Sequence, residues 1–228
     1  QARRALAALR CDLVALSPIC FLSAANGFVD RNLVPMLGRL WRLRGGDVIC
    51  TTGTVGARKN QGIILESLTR LLGPESLLCV VVGEGDTGTL QTDARRLGVD
   101  ERVRICGHRP DARVVSAAAD YFILPSLSEG QPLAILEAWA DGVPVLCSRT
   151  PELVELTGHG QAAVLFDPRD ADDVARAITT VRRTVPAGRQ RLADRARARY
   201  REHFTAQRMV DDYTDEYRRL VATRRAVA

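Results

Sequence analysis

The sequence predicts an α/β domain with a doubly wound parallel sheet of about six strands and flanking helices. From residue 47 onward, short runs rich in β-branched residues alternate with longer amphipathic runs. This alternation implies right-handed βαβ crossovers and a sheet covered by helices on both faces. The composition supports a folded domain, because 46% of the 228 residues are hydrophobic and 26% are charged. These values argue against a disordered chain, a collagen-like chain or a coiled coil.

The strands and helices are expected in a regular order along the chain. Strands are expected where about four to eight residues are mostly β-branched or apolar, and helices where apolar side chains recur at the helical period. The expected strands span residues 47–53, 77–83, 102–106, 121–125, 144–148 and 162–166. The expected helices span residues 61–72, 89–97, 110–119, 133–140, 151–156, 171–181, 189–204 and 206–222.

The two ends of the chain differ from this alternating region. Residues 1–46 hold helix-like runs at 3–9 and 36–44, but they are too few to form a domain, so we expect part of an interdomain connection. Residues 47–185 are expected to form the sheet domain. Residues 186–228 are arginine-rich and are expected to form helices that pack on that domain or on a domain outside this chain. Their apolar stripe consists of Tyr200, Phe204, Tyr213, Tyr217 and Leu220.

The composition also excludes several classes of protein. No apolar run approaches the roughly 20 residues that a membrane-spanning helix needs, and the chain opens on Gln1 without a secretory leader, so we expect part of a longer protein. The net charge of +5 is carried by arginines and one lysine, Lys59. We interpret it as a solvated surface and not as a nucleic-acid site. The six cysteines show no metal-ligand spacing, so we expect reduced thiols in a cytoplasmic protein.

The loop after the second expected strand satisfies a dinucleotide-binding pattern. Open parallel sheets bind ligands at the carboxyl ends of their strands, and residues 83–88 read GEGDTG, which fits G-x-G-x-x-G. Glu84 and Asp86 would place two carboxylates where a pyrophosphate should lie. The pattern also belongs after the first strand. We therefore interpret this loop as a tight turn beside a ligand cleft, with a nicotinamide site as the alternative.

The loop after the first expected strand, residues 53–60, reads GTVGARKN. Gly53 and Gly56 allow close backbone approach, and Lys59 lies just before the next helix, where an ammonium can meet a phosphate. In a chain whose other basic residues are arginines, this lysine indicates a need for a compact ammonium on a flexible stem. The alternative is a surface loop with an exposed basic pair.

Two glutamates follow the fourth expected strand, in PSLSEGQPLAILEAWADGVPV. Glu129 is expected at the start of a helix and Glu137 eight residues on, inside it, so the two lie a little over two turns apart, on one face and about 12 Å along the axis. That separation is too large for an acid–base pair and suits the two ends of a ligand with an anionic middle, such as a sugar nucleotide. The alternative is a capped helix with a surface glutamate. The N–H groups for the anionic middle are those of Gly130, Gln131, Leu133 and Ala134.

These segments, taken in order, resemble one protein family. GTVGARKN, VVGEG, VRICG, AADYFILPS and the E-x7-E run EGQPLAILEAWADGVPV are similar to the carboxyl-terminal, donor-binding half of the group 1 (family 4) retaining glycosyltransferases of the GT-B fold. NGFVD at 26–30 is similar to the turn that opens this half, and TPE at 150–152 to the loop before its sixth strand. The resemblance covers residues 53–166 and implies one Rossmann-like half of a GT-B architecture.

The resemblance implies roles for the matching residues. Glu137 would accept hydrogen bonds from the ribose, while Glu129 would hold hydroxyls of the donor sugar and favour the charge that develops near its anomeric carbon. Lys59 would neutralise the diphosphate leaving group without a metal or a cofactor. Glu129 and Lys59 are the implied catalytic residues. The implied donor-binding residues are Gly53, Thr54, Arg58, Lys59, Gly83, Arg104, Glu129, Gly130, Gln131, Leu133, Ala134 and Glu137.

Several positions qualify this assignment. Thr54 replaces the family's arginine, which removes a cation from the diphosphate site. Arg58 is adjacent to Lys59 but is expected to point elsewhere, so Arg149 is a candidate replacement. Arg104 matches a position that packs against the base in some relatives, and an exposed strand arginine is the alternative. Pro132 removes one N–H group from the helix start.

The sequence therefore predicts the donor-binding half of a retaining glycosyltransferase, which transfers a sugar from a nucleotide-diphosphate sugar to an unidentified acceptor. We expect it in the cytoplasm or peripheral to the inner face of the membrane. The acceptor-binding amino-terminal domain is expected to be missing from this chain, so that the chain alone has no turnover. The alternatives are a nucleotide-sugar epimerase of similar architecture, a non-catalytic nucleotide- or sugar-binding domain and, last, an NAD-dependent oxidoreductase.

Overall fold

The computed structural model describes residues 46–71 and 77–226. Six strands form one all-parallel sheet in the order β3–β2–β1–β4–β5–β6. All six expected strands are confirmed, with ends that differ by at most two residues. They are β1 (Asp47–Thr52), β2 (Leu77–Val82), β3 (Val103–Ile105), β4 (Tyr121–Leu124), β5 (Val145–Ser148) and β6 (Val164–Phe166).

Eight helices in the described residues connect and flank these strands, each close to an expected helix. One helix, α7, starts three residues earlier than expected because Pro186 occupies its first turn, where proline's fixed φ is favourable. A short 3-10 turn before β3 was not expected. The helices are α1 (Gly62–Arg70), α2 (Thr87–Arg96), α3 (Ala112–Ala118), α4 (Leu133–Asp141), α5 (Pro151–Leu156), α6 (Ala171–Arg183), α7 (Pro186–His203) and α8 (Ala206–Ala226).

Apolar side chains cover both faces of the sheet. Helices α1, α2 and α6 pack on one face, and α3, α4, α5 and α7 pack on the other. This arrangement explains why the central strands β4 and β5 are buried along their whole length and read as continuous apolar runs. Burial also raises the pKa of the Cys79 and Cys147 thiols to about 12, and both thiols are free.

The two carboxyl-terminal helices differ in how they meet the sheet domain. Helix α7 packs against α4, with Ala196 fully buried and Tyr200 partly buried against that core. The Phe204 ring lies 6.1 Å from the Trp139 ring, measured between centroids. On α8, by contrast, Tyr213 and Tyr217 are exposed. No helix within residues 46–71 and 77–226 is both long and apolar enough to cross a membrane.

The expectations for residues 1–45, including the turn at 26–30 and the helix-like runs at 3–9 and 36–44, lie outside the described residues. Within the described part, the chain runs outward from β1 through β2 to β3, and then returns to place β4 on the other side of β1. The strand order therefore reverses between β1 and β4. In open α/β sheets, ligands bind in the crevice outside the carboxyl ends of the strands at such a reversal.

Candidate functional site

A cation and a carboxylate meet at this reversal of strand order. Lys59 ends the loop after β1, and Glu129 lies in the loop after β4. The Lys59 Nζ donates to Glu129 Oε1 across 2.6 Å, and the two side chains are only 17% and 7% exposed. The residues predicted as the catalytic pair are therefore brought together from positions 70 residues apart in the sequence.

The environment of Glu129 favours its ionised form. Burial alone would raise the pKa of this carboxyl, but the hydrogen bond from Lys59 and the positive charges of Lys59 and Arg58 hold the pKa below its ordinary value. The carboxylate is thus ionised at neutral pH. A charge-assisted hydrogen bond of this length is among the stronger polar contacts that proteins make.

Arg58 also faces this pair, so the expectation that it points elsewhere is wrong. Its guanidinium lies 3.5 Å from Glu129 Oε2 and donates to the Ser128 carbonyl across 3.0 Å. The backbones of the two loops are also hydrogen-bonded to each other, because Leu127 N donates to the Arg58 carbonyl. Arg58 therefore places a second cation beside Lys59, whereas Thr54 is exposed and contributes its carbonyl to the loop.

Asn60 fixes the position of the loop that carries Lys59. Its side-chain amide donates to the carbonyls of Pro125, after β4, and Pro168, after β6, across 3.2 and 2.8 Å. Its φ of 55° is left-handed, a conformation that asparagine tolerates better than most residues. The sequence reasoning missed this residue. The one signal in the sequence was the residue type, because asparagine at the end of a loop is often found with left-handed backbone.

The GEGDTG loop is a tight turn packed against the loop after β1. A Cβ at Gly83 would lie 1.9 Å from the Gly53 carbonyl oxygen, and one at Gly85 would lie 2.3 Å from the Val55 carbonyl oxygen. The Asp86 carboxylate accepts from Thr89 N and so caps α2 itself. The glycines serve loop packing and the helix start already holds a carboxylate, both of which argue against a dinucleotide at this turn.

The predicted helical spacing of Glu129 and Glu137 is wrong. Helix α4 begins at Leu133, and Pro132 before it has extended backbone, so residues 129–132 are not helical. The calculation of two helical turns therefore does not apply to this segment. Pro132 provides no side-chain cap for α4. Of the four residues whose N–H groups were predicted to hold an anion, Leu133 and Ala134 lie in the first turn of α4, whereas Gly130 and Gln131 precede the helix.

The neighbours that the structure shows for Glu137 and Arg104 are groups other than the Lys59–Glu129 pair. Glu137 is exposed on α4. Its pKa is raised, because the partial burial of its carboxyl and the nearby charge of Asp141 outweigh the opposite effect of Arg113 of α3. The Arg104 guanidinium donates to the carbonyls of Asp100, Glu101 and Val103, at the turn that precedes β3. In this structure the Arg104 side chain is thus turned toward the amino end of its strand.

Two further points complete the geometry of this edge of the sheet. Arg149, after β5, is exposed and lines a cavity of about 320 Å³ instead of joining the Lys59–Glu129 pair. Gly53 has a φ of 131°, and a Cβ there would lie 3.6 Å from Lys59 Cε. Within the described ranges, no cluster of three or more His, Cys, Asp or Glu side chains could hold a metal ion.

The sheet order and the charged pair at its reversal are those of a doubly wound, ligand-binding α/β domain. Comparison with known proteins identifies the family: residues 46–183 match the model described as "Glycosyl transferases group 1". Because that match covers more than half of the chain, the chain belongs to the group 1 glycosyl transferases. The resemblance drawn from the sequence motifs is thereby confirmed.

Curated relatives agree with the family assignment. The chain is 32% identical over 178 residues to the lipopolysaccharide core biosynthesis glycosyltransferase LpsE of Rhizobium meliloti (strain 1021), a match that covers 78% of this chain and 50% of that protein. It is 32% identical over 157 residues to the D-inositol 3-phosphate glycosyltransferase of Corynebacterium jeikeium (strain K411), covering 64% and 34%. The chain thus spans half or less of the length of these relatives.

Solved structures share the fold. Anabaena Alr3699/HepE, crystallised with UDP and glucose, matches with a TM-score of 0.72 at 22% identity, covering 82% of this chain and 53% of that one. The C-terminal domain of a group 1 glycosyl transferase (LpcC) from Francisella tularensis matches with a TM-score of 0.63 at 17% identity, covering 73% and 91%. These neighbours support a Rossmann-like domain of the GT-B glycosyltransferases.

Proposed function

We propose that this chain is the donor-binding part of a retaining glycosyltransferase that uses a nucleotide-diphosphate sugar. The observation that carries the proposal is the contact between Lys59 and Glu129 at the reversal of strand order. An ammonium there can meet a diphosphate. The adjacent carboxylate can hold hydroxyls of the sugar attached to that diphosphate.

The charges of the site suit departure of a diphosphate from a sugar. Negative charge grows on the leaving group as the glycosidic bond breaks, and Lys59, Arg58 and the N–H groups at the start of α4 can stabilise it. Positive charge grows near the anomeric carbon, and the ionised Glu129 can stabilise it. The proposal assigns both tasks to residues of this chain and needs no metal.

The remaining donor contacts extend the proposal along the nucleotide. Glu137 would accept hydrogen bonds from the ribose hydroxyls, and Gly53 and Gly83 would let the nucleotide approach the backbone. Arg104 would reach the base only after leaving its carbonyl partners in the turn before β3. Because HepE was crystallised with UDP and glucose, UDP is the first nucleotide to try.

We further propose that activity needs a second domain and that the complete enzyme works in the cytoplasm. The chain covers half of LpsE, so we expect most of the acceptor site to lie in sequence outside this chain. Closure of two domains would exclude water from the transfer. The buried free thiols of Cys50, Cys79 and Cys147 suit a reducing compartment.

The test uses the only lysine of the chain. Protein labelled with 15N at lysine Nζ gives one side-chain lysine signal in NMR spectra, and this signal is followed while UDP, GDP, ADP and dTDP are added. We expect one of them to shift the signal. In a calorimetric titration with that nucleotide, Lys59→Arg should weaken the binding, because the fork of arginine does not replace the ammonium. A lysine signal that none of the four nucleotides moves would contradict the proposal.

Two activity measurements accompany this titration. In the complete protein, the product of sugar transfer should keep the anomeric configuration of the donor, and an inverted product would contradict the retaining assignment. Sugar transfer by the 228 residues alone would contradict the need for a second domain.

A further inference from the structure

The cavity of about 320 Å³ lies at the carboxyl edge of the sheet, on the β5 and β6 side of Glu129. The loops after β4, β5 and β6 form its walls. Its volume is at the lower end of the roughly 300–1,000 Å³ of small-molecule pockets. The polar side chains that line it are Ser128, Arg149, Thr150, Glu152, Asp167 and Arg169.

The cavity shares its walls with the Lys59–Glu129 site. Ser128, on one wall, directly precedes Glu129 and accepts a hydrogen bond from Arg58. Pro168, on the opposite wall, accepts a hydrogen bond from the Asn60 amide. A ligand in the cavity would therefore lie next to the group that Glu129 binds.

The cavity also lies on the far side of Glu129 from the nucleotide contacts. The proposed nucleotide contacts Gly53 and Gly83 follow β1 and β2. The cavity belongs to the β5 and β6 part of the sheet. A donor held between those loops and Glu129 would thus leave the cavity unfilled.

The charges that line the cavity balance one another. Arg149 and Arg169 supply two cations, and Glu152 and Asp167 supply two carboxylates, all of them exposed. A phosphate entering the cavity would meet both carboxylates. A ring bearing hydroxyl groups can donate to the carboxylates and accept from the guanidinium groups at the same time.

A buried hydroxyl on the wall favours the same kind of ligand. Thr150 is 8% exposed, and its Oγ1 has no hydrogen-bond partner among the residues that the structure describes. Buried polar atoms are normally hydrogen-bonded, and leaving one unpaired is unfavourable. Leu127 and the two prolines of the lining add the apolar surface that the C–H face of a sugar ring can cover.

We propose that this cavity is a subsite for one neutral saccharide ring beside the transfer centre. The inference rests on the proposed function, because the ring would belong either to the acceptor or to the donor sugar. The position beyond Glu129 favours the acceptor. This chain would then contribute to acceptor binding, although its matches cover only 50% and 34% of two longer relatives.

The test follows the backbone amides of the 228-residue chain by NMR. A panel of methyl glycosides and myo-inositol is added in the presence of UDP, and inorganic phosphate is added separately. Two variants remove cavity groups: Thr150→Val deletes the hydroxyl, and Glu152→Gln neutralises an exposed carboxylate. The matched control is Glu155→Gln, which is one turn further along α5 and outside the cavity lining.

We expect at least one saccharide to shift the amides of residues 127–128, 149–152 and 167–169. Each cavity variant should weaken that binding about three- to tenfold, which is the effect of one lost hydrogen bond, and Glu155→Gln should leave it unchanged. Thr150 makes no side-chain cap for α5, and Glu152→Gln keeps the test usable if Thr150→Val fails to fold.

A second titration identifies the source of the ring. If the cavity variants weaken binding of UDP-glucose but not of UDP, the ring is the donor's sugar. If they weaken only the free saccharide, the ring is the acceptor's. Both outcomes support the subsite.

Three results would overturn the inference. The first is that no saccharide shifts the amides of the cavity residues although UDP shifts the Lys59 signal. The second is that phosphate shifts these amides and saccharides do not. The third is that Glu155→Gln weakens saccharide binding as much as Glu152→Gln does. The first result would contradict the saccharide subsite but not the proposed function. A failure of the function itself appears separately, as a Lys59 signal that no nucleotide moves.

Discussion

At the scale of single residues, the central feature is a carboxylate whose pKa is lowered chiefly by one neighbouring ammonium, with further contributions from the Ser126 hydroxyl and Arg58. Glu129 is almost fully covered, and without Lys59 its burial would remain while most of the compensating charge would be lost. We expect Lys59→Met to raise the pKa of Glu129 above its ordinary value. Methionine keeps the length of the side chain, so packing changes little.

This prediction is measured by an NMR titration of the Glu129 side chain in both proteins. The control is Arg58→Met, which should raise the pKa of Glu129 much less, because the Arg58 guanidinium is 60% exposed and lies farther from the carboxylate. An unchanged Glu129 pKa in Lys59→Met would show that the pair does not set the ionisation of the site.

The same pair predicts how stability depends on pH. The folded-state pKa of Glu129 is depressed, so its contribution to the free energy of unfolding is fully present above the unfolded pKa of about 4.3. The contribution is lost as the pH falls through the lower, folded-state pKa. In Lys59→Met the sign reverses, because the folded-state pKa is raised. We therefore expect the Lys59→Met variant to lose less unfolding free energy than the native chain as the pH falls from 6 into the acid range. The difference should be about 1.4 kcal/mol for each unit by which the folded-state pKa of Glu129 differs between the two proteins. Urea denaturation at each pH measures it.

Asn60 gives a prediction that separates backbone conformation from hydrogen bonding. Asn60→Gly keeps the left-handed φ but loses both amide donors, so we expect the free energy of unfolding to fall by about 1–3 kcal/mol. Asn60→Ala also loses them and adds about 1–2 kcal/mol of left-handed strain. Urea denaturation measures both. If the glycine variant is as stable as the native chain, the amide contacts do not hold the three loops together.

At the scale of elements, the loops after β1 and β2 approach so closely that there is no room for a side chain at Gly83. Gly83→Ala would drive a Cβ into the Gly53 carbonyl, a backbone atom that cannot rotate away. We expect a loss of about 1–3 kcal/mol or more from this overpacking. The contact lies beside Lys59, so the variant should also shift the Lys59 NMR signal.

The matched control lies in the same loop-and-helix segment. Gly88 is in α2, and a Cβ at this position would have no neighbouring atom within 4 Å, so Gly88→Ala should raise stability by about 0.5–1 kcal/mol through helix propensity. Thermal or urea unfolding compares the two. Equal effects of the two substitutions would contradict the role assigned to the glycine at position 83.

The elements also show what the sequence could and could not predict. Strands such as β2 were predictable because a buried parallel strand is a continuous apolar run. The start of α4 at Leu133 was predicted as well, but the helical spacing of Glu129 and Glu137 was wrong, since residues 129–132 do not form a helix. The direction of Arg58 was not predictable either. It depends on the Ser128 carbonyl and the Glu129 carboxylate, which a different loop brings alongside.

At the scale of the whole molecule, the two carboxyl-terminal helices should contribute unequally to stability. A chain that ends after Thr205 loses α8, whose Met209, Tyr213 and Tyr217 are exposed, and should keep the unfolding free energy of the complete chain. A chain that ends after Thr184 also loses α7 and uncovers Trp139, which should cost about 3 kcal/mol or more. Calorimetry of the two truncations measures the difference. Equal loss in both would mean that α8 packs on the sheet domain.

The family and its fold were predictable because ordered motifs over more than a hundred residues carry more information than any one of them. The cavity beside Glu129 was not predictable, because its lining comes from three loops that only the folded sheet brings together. Asn60 was missed for the same reason. Its two acceptors lie 65 and 108 residues away.

The short contact between Lys59 and Glu129 has a consequence for how quickly and tightly anions can be captured. The ammonium already directs one of its three N–H donors at a carboxylate, so a phosphate that reached it would share that charge with Glu129. Affinity measured on this chain would therefore include any weakening of the Lys59–Glu129 contact. If the proposed function is right, a phosphate that drew the ammonium toward itself would leave Glu129 freer to accept from the hydroxyls of a sugar, with Arg58 still beside it.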